Sequence, residues 1–391
     1  MKQHNFDEPV NRIGTDSYKW DYEGKSGKYI PLGVADTDFK IPKEAIAAMQ
    51  NVLDRGVFGY GDLPQKRLAA AVQGWYARRF DTHIEKDWVV HAPGLMTGAL
   101  WLILQAYTRP GDKVLVQSPV YNTFNKVILK QGRGIVENPL ILKKGRYEMD
   151  FNDLEAKAND PAVRIILICS PHNPVGRVWT KDELIKVAEI AKKTNTLIIS
   201  DEIHSDIVYE GHKQTSFISL DAFADNAIIM NSPSKTFNVA ALYSAYVIIK
   251  NKALREQFEV VSSDYHLDYN MLGLEALMAC YNECDYYVDA QNAYFAENIA
   301  LVRKFLQKEI PEAVWIEPEG TYLLWIDFSR LGLSQEKLLQ LFESSGVRVN
   351  SGANYGTGGD GFVRVNIATQ RSVLTEALNR VAKVYQAWKT A

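Results

Sequence analysis

The sequence predicts an α/β fold: a large domain with a mainly parallel sheet flanked by helices, and a smaller α+β domain beside it. Three observations carry this prediction. Helix-like and strand-like segments alternate from about residue 45 to about 275, the pattern that crossover connections impose on a parallel sheet. Within it, the apolar runs 164–169, 196–199 and 227–230 read as buried strands, and each leads into polar residues. Beyond about residue 275 the texture changes to a long amphipathic helix and then short, separated strands. The expected division is 45–280 for the large domain, with 1–44 and 281–391 forming a discontinuous small domain.

From the amino end, the stretch 41–56 opens around Pro42 and spaces Ile46, Met49 and Leu53 on one helical face. A second helix is expected over 63–80, and a third over 94–107, which has a glycine-rich start and an apolar body. Residues 113–117 read as a short strand that Pro119 turns. Over 180–193 the polar start Thr180-Lys181-Asp182-Glu183 and the basic end Lys192-Lys193 suit the helix macrodipole. A long helix over 289–309, strands over 321–328, 347–350 and 361–367, and a closing helix over 371–389 complete the chain.

Composition bounds the function. The 391 residues are 47% apolar and 23% charged, ordinary for a soluble globular protein, and the net charge is −3 with both signs interspersed. The longest basic runs are pairs such as Lys143-Lys144, so no nucleic-acid or membrane partner is expected. Met1-Lys2-Gln3-His4-Asn5-Phe6-Asp7-Glu8 has no apolar core of a secretory signal. No stretch approaches the ~18 uninterrupted apolar residues of a membrane span. The three cysteines include no C-x-x-C pair; Cys280 and Cys284, four apart, read as reduced thiols. A cytoplasmic location is the default expectation.

Each of the three central strands ends in a polar turn. The first runs into Ser170-Pro171-His172-Asn173-Pro174, the second into Ser200-Asp201-Glu202-Ile203-His204, and the third into Ser232-Pro233-Ser234-Lys235. Asn173, Asp201 and Lys235 thus each come just after a strand, 28 and 34 residues apart. In a parallel sheet, side chains past the carboxyl ends of strands share one crevice. There a lysine can bond covalently to an aldehyde cofactor. An aspartate can keep a ring nitrogen protonated, and an asparagine can donate to a ring oxygen. That is the equipment for pyridoxal 5′-phosphate.

P-H-N-P-x-G, S-D-E-I-H-S-D and S-P-S-K-T-F-N resemble the fold-type-I pyridoxal-phosphate enzymes, and most closely their cystathionine β-lyase-like C–S lyases, the MalY/PatB group. The likeness extends through 12–21, Gly33-Val34-Ala35-Asp36-Thr37-Asp38-Phe39, Phe58-Gly59-Tyr60-Gly61, Ser118-Pro119-Val120-Tyr121, Gly320-Thr321-Tyr322 and Phe362-Val363-Arg364-Val365-Asn366. It implies Lys235 as the cofactor-bonded residue and the base at the substrate Cα, Asp201 against the pyridine nitrogen, and Tyr121 stacked on the ring. It assigns Asn173 to the ring oxygen and the substrate carboxylate, and Arg364 to that same carboxylate, which its planar fork matches. Leu95 and Met96, in the turn opening at Gly94, would meet the phosphate together with Ser232 and Ser234. Tyr60 would reach the phosphate from the neighbouring subunit of a homodimer.

Departures from the wider family bear on substrate preference. His204, counted with the cofactor-binding residues, stands where aminotransferases usually carry a tyrosine, and Ala241 and Gln370 replace a common glycine and proline. The implied reaction is β-elimination of L-cystathionine- or L-cystine-type substrates to a thiol, pyruvate and ammonia. The alternatives are an aminotransferase on the same fold, or an active-site-bearing protein with a regulatory binding role. Glu202, His204 and Asp206, with His172, have no recognised metal-ligand spacing. Gly24-Lys25-Ser26 lacks the glycine that a phosphate-binding loop needs at the position of Lys19.

Overall fold

The computed structural model describes residues 4–390, so Met1 to Gln3 of the amino-terminal reading lie outside the described residues. A short strand β1 (Ile30–Pro31) precedes the main sheet. The sheet begins with β2 (Val89–Ala92), β3 (Lys113–Val116) and β4 (Gly134–Glu137). A hairpin, β5 (Ile141–Lys143) and β6 (Arg146–Glu148), interrupts it. It resumes with β7 (Val163–Cys169), β8 (Leu197–Asp201), β9 (Ala227–Asn231) and β10 (Ala245–Ile249). The order is β2-β10-β9-β8-β7-β3-β4, with β10 antiparallel to both neighbours and the other pairings parallel. This is the fold-type-I arrangement that the motifs imply. β8, β9 and β10 are almost wholly buried, as a sheet covered on both faces requires.

The later chain adds β11 (Val314–Trp315), β12 (Leu323–Asp327), β13 (Val347–Arg348), β14 (Asn350–Ser351) and β15 (Phe362–Asn366). β11-β12-β15-β14 form a second sheet, whereas β13 pairs with β1 in parallel. The single strand expected over 347–350 is therefore two, one in each sheet. The alternation is too short to reveal that the partner changes at Val349.

The helices expected over 41–56, 63–80, 180–193 and 371–389 are present as Lys43–Leu53, Gln65–Phe80, Lys181–Thr194 and Arg371–Thr390, while Asn122–Lys130, Phe151–Ala158, Lys252–Asp264 and Met271–Glu283 are helices that the sequence reading did not place. Thr180 caps Lys181–Thr194, accepting the Glu183 amide at 3.2 Å while Glu183 accepts the Thr180 amide at 2.8 Å. The long helix starts earlier than expected, at Asp285. The third helix opens with a π turn, Leu95–Leu100, before Trp101–Tyr107. Gly94 enters it at φ +86°, and a Cβ there would lie 3.2 Å from the Tyr243 ring. The carboxyl ends of β7, β8 and β9 are neighbours, so the three turns picked out in the sequence open on one crevice.

Candidate active site

Asp201 is the last residue of β8, paired across to Cys169 on one side and Met230 on the other. It is buried, and its carboxylate accepts the Ile203 amide at 3.1 Å. Burial raises its pKa to about 7, against the opposing pull of that amide and of the Lys235 charge. Lys235 lies in the turn after β9, and its Nζ donates to the Ala35 carbonyl at 2.7 Å. Desolvation lowers its pKa to about 8, with Asp36 opposing, Arg364 adding, and Asp201 opposing. A base near neutrality is what proton abstraction at ordinary pH needs.

Arg364 arrives from the second sheet. β15 sets it between Trp325 of β12 and Asn350 of β14. Its guanidinium is buried, donates to Asn173 Oδ1 at 3.0 Å and to the Gly33 carbonyl at 2.7 Å, and lies 5.1 Å from the Tyr355 ring centroid. Its Nε has no partner, so one buried donor stays available. Gly320, in G-T-Y, lets the segment before β12 run against the segment after β8, where it bridges Val208. A Cβ there would meet the Ile207 carbonyl at 2.7 Å.

A cavity of about 280 Å³ collects Leu95, Met96, Tyr121, Asn173, Asp201, His204, Ser234 and Lys235. Its wall is completed by Ala35, Gly94, Thr97, Cys169, Ile203, Ala240 and Tyr243. Ser232 stands behind the wall, bonding Ser234 Oγ and the Ser244 carbonyl at 2.7 Å each. His204 is buried and held neutral by desolvation, its ring edge-on to Tyr322 at 5.6 Å. Tyr60 is fully exposed and lines a separate surface hollow with Phe58, Tyr269 and Met271, so this chain does not bring it to its own cavity. Tyr243, which sequence reasoning missed, closes the wall from a left-handed backbone at φ +48°. No local pattern marks it, because its place depends on the turn after Ala240. Glu202 and Asp206 are occupied by Ser200, Phe217, Trp75 and Thr236. Among the described residues no group of three His, Cys, Asp or Glu is placed to hold a metal. Cys280 and Cys284 are buried free thiols.

The cavity suits a phosphorylated pyridine aldehyde. Asp201, raised by burial, gains from a cationic ring N–H beside it. The first-turn amides of Leu95 and Met96 precede the Ala99-to-Gly94 bond at 2.9 Å and are free to meet an anion. Ser234 adds a hydroxyl, and Lys235 the amine.

Residues 27–381 match the family described as aminotransferase class I and II. The chain belongs to that family. Within it, cystathionine β-lyase PatB of Bacillus subtilis is 38% identical over 96% of this chain and 98% of its own length. Protein MalY of Escherichia coli is 32% identical over 95% and 96%. The crystal structure of cystalysin from Treponema denticola, which contains pyridoxal 5′-phosphate, superposes with a TM-score of 0.94 at 35% identity, covering 99% of this chain and 100% of that one. The family recognised from the motifs, and its MalY/PatB group, are thus the ones found.

Proposed function

We propose that this protein is a pyridoxal-phosphate-dependent C–S lyase that performs β-elimination on L-cystathionine- or L-cystine-type amino acids, releasing a thiol, pyruvate and ammonia. The observation that carries this reading is the meeting of Lys235, Asp201 and Asn173 in one cavity, with Arg364 bonded to Asn173. The likeness to named cystathionine β-lyases over nearly the whole chain supports it.

Lys235, Asp201, Asn173, Tyr121, Ser234 and the Leu95–Met96 amides would hold the cofactor, and Ser232 would brace Ser234. When bound, the cofactor supplies an electron sink for negative charge at the substrate Cα. Arg364 and Asn173 receive the substrate α-carboxylate. The Lys235 amine removes the Cα proton, and the C–S bond at Cβ breaks with the electron pair leaving on sulfur. Aminoacrylate then departs, tautomerises and hydrolyses to pyruvate and ammonia. Asp201 stabilises positive charge on the ring side of the cavity. His204, neutral in its buried setting, lines the same cavity against Tyr322 and adds no charge.

The large domain of this lyase spans 45–280, and the small one joins 1–44 to 281–391, in keeping with separate sheets within 89–249 and 314–366. The protein is a cytoplasmic homodimer in which Tyr60, exposed beside the exposed Val57 and Phe58, completes the neighbouring subunit's phosphate site. No helix of the described residues is long and apolar enough to cross a membrane.

The test is a panel of β-substituted L-amino acids assayed for pyruvate and free thiol without any keto acid. Pyruvate with a stoichiometric thiol is expected. Its absence across the panel, with steady amino transfer once a keto acid is added, establishes the aminotransferase reading instead.

A further inference from the structure

The segment Gly33-Val34-Ala35-Asp36-Thr37-Asp38 performs no step in the reaction above, yet its backbone faces the site. The Gly33 carbonyl accepts from Arg364, and the Ala35 carbonyl accepts both Lys235 Nζ at 2.7 Å and the Tyr322 hydroxyl at 3.0 Å. Such a strap lacks the hydrogen-bond ladder of a strand or helix, so something else must fix it. From inside, Asn366 donates to the Val34 and Asp36 carbonyls at 2.6 and 2.7 Å and Asn238 to the Thr37 carbonyl at 2.9 Å; from outside, Arg12 holds the side chains. Its fork grips Asp36 at 2.7 and 3.0 Å and Asp38 at 2.8 Å. Lys19, fully buried, bonds Asp38 at 2.7 Å and lies 3.6 Å from Asp36.

We propose that Asp36 is a positioning residue for Lys235: gripped by Arg12, it fixes the Ala35 carbonyl against the amine and carries a carboxylate on the residue next to the one that amine bonds. The charges facing Lys235 are few. Asp36 and Asp201 favour the ammonium, Arg364 disfavours it, and His204 is neutral. The Asp36 effect is the largest of the charge effects on Lys235. Asp36 is itself countered by Arg12 and Lys19, so its field at Lys235 is adjustable from the far side of the strap.

This inference rests on Lys235 being the reactive amine of the proposed lyase, but its test needs neither cofactor nor substrate. The full-length protein is freed of cofactor, and the rate at which 2,4-dinitrofluorobenzene labels the Lys235 peptide is followed against pH. Asp36→Asn keeps the size and removes the charge, so the labelling midpoint moves down by about 0.5 to 1 unit. Loosened packing alone would admit water and move the midpoint up, toward an ordinary lysine. A midpoint unchanged or raised in Asp36→Asn overturns the proposal. If Asp36→Asn does not fold with Arg12 unpaired, the double variant Arg12→Gln/Asp36→Asn removes both charges. A midpoint below wild type supports the proposal there, and one at or above wild type overturns it. Failure in the pyruvate assay with a shifted midpoint refutes the lyase reading alone.

Discussion

Replacing Arg364 by lysine tests the substrate end of the site. The guanidinium reaches two acceptors at once, Asn173 Oδ1 at 3.0 Å and the Gly33 carbonyl at 2.7 Å, and keeps Nε unpaired. A lysine ammonium is a point charge and cannot span that fork. It retains attraction for a carboxylate but loses one of two charge-assisted hydrogen bonds, each about 1.5–3 kcal/mol. At about 1.4 kcal/mol per factor of ten, kcat/KM for an L-cysteine conjugate falls roughly 10- to 150-fold. Most of the loss falls on KM, because the carboxylate is held equally before and during bond breaking. The assay is steady-state pyruvate release, with urea unfolding as a control, since removing the fork also strips a partner from buried Asn173. A variant within threefold of wild type in kcat/KM would falsify the assignment of Arg364.

Other outcomes rest on the same structure. Glu319, buried, accepts from Arg177 and Arg146 at 2.8 Å each and from the Val178 amide at 2.9 Å; Glu319→Ala leaves Arg177 short of its buried partner and costs about 3 kcal/mol in urea unfolding at pH 7. Burial pushes the Glu319 pKa up, but bonds from Arg146 and Arg177 win and lower it. Its contribution is therefore full above the unfolded pKa of about 4.3 and is lost as pH falls through the lower folded value, so the mutational penalty shrinks in acid. Glu202 is the opposite case: burial raises its folded pKa to about 7, so wild-type stability declines as pH rises from the unfolded pKa through 7. Glu202→Gln removes that decline, and its unfolding midpoint relative to wild type is higher at pH 8 than at pH 5; parallel pH curves refute this. Mixing Tyr60→Phe with Lys235→Ala subunits regains pyruvate release if sites are shared, whereas a fully active monomer by sedimentation eliminates the shared-site homodimer.

Much of the site is legible locally, and the limit is physical. Asn173, Asp201 and Lys235 are marked by a strand ending in a polar turn, and that signal lies within a few residues of each. Thr180 and Glu183 announce a helix start because a capping box needs only four positions. The sequence alone therefore determines the alternating α/β plan, the three strand-end groups and the chemistry they can perform together. It does not determine which strands become neighbours. Hydrophobic runs of equal length carry no label for their partners, and the placement of β10 between β2 and β9 comes from packing across the whole sheet. Only the tertiary structure divides 347–350 between two sheets, carries Arg364 to Asn173 over 191 positions, and brings the Ala35 carbonyl to Lys235 over 200. Those contacts are made by isolated side chains and irregular backbone, which leave no periodicity to read. Their cause is the packing of the 33–38 strap between the second sheet and the strand-end turns of the first, and that packing is a property of the assembled core.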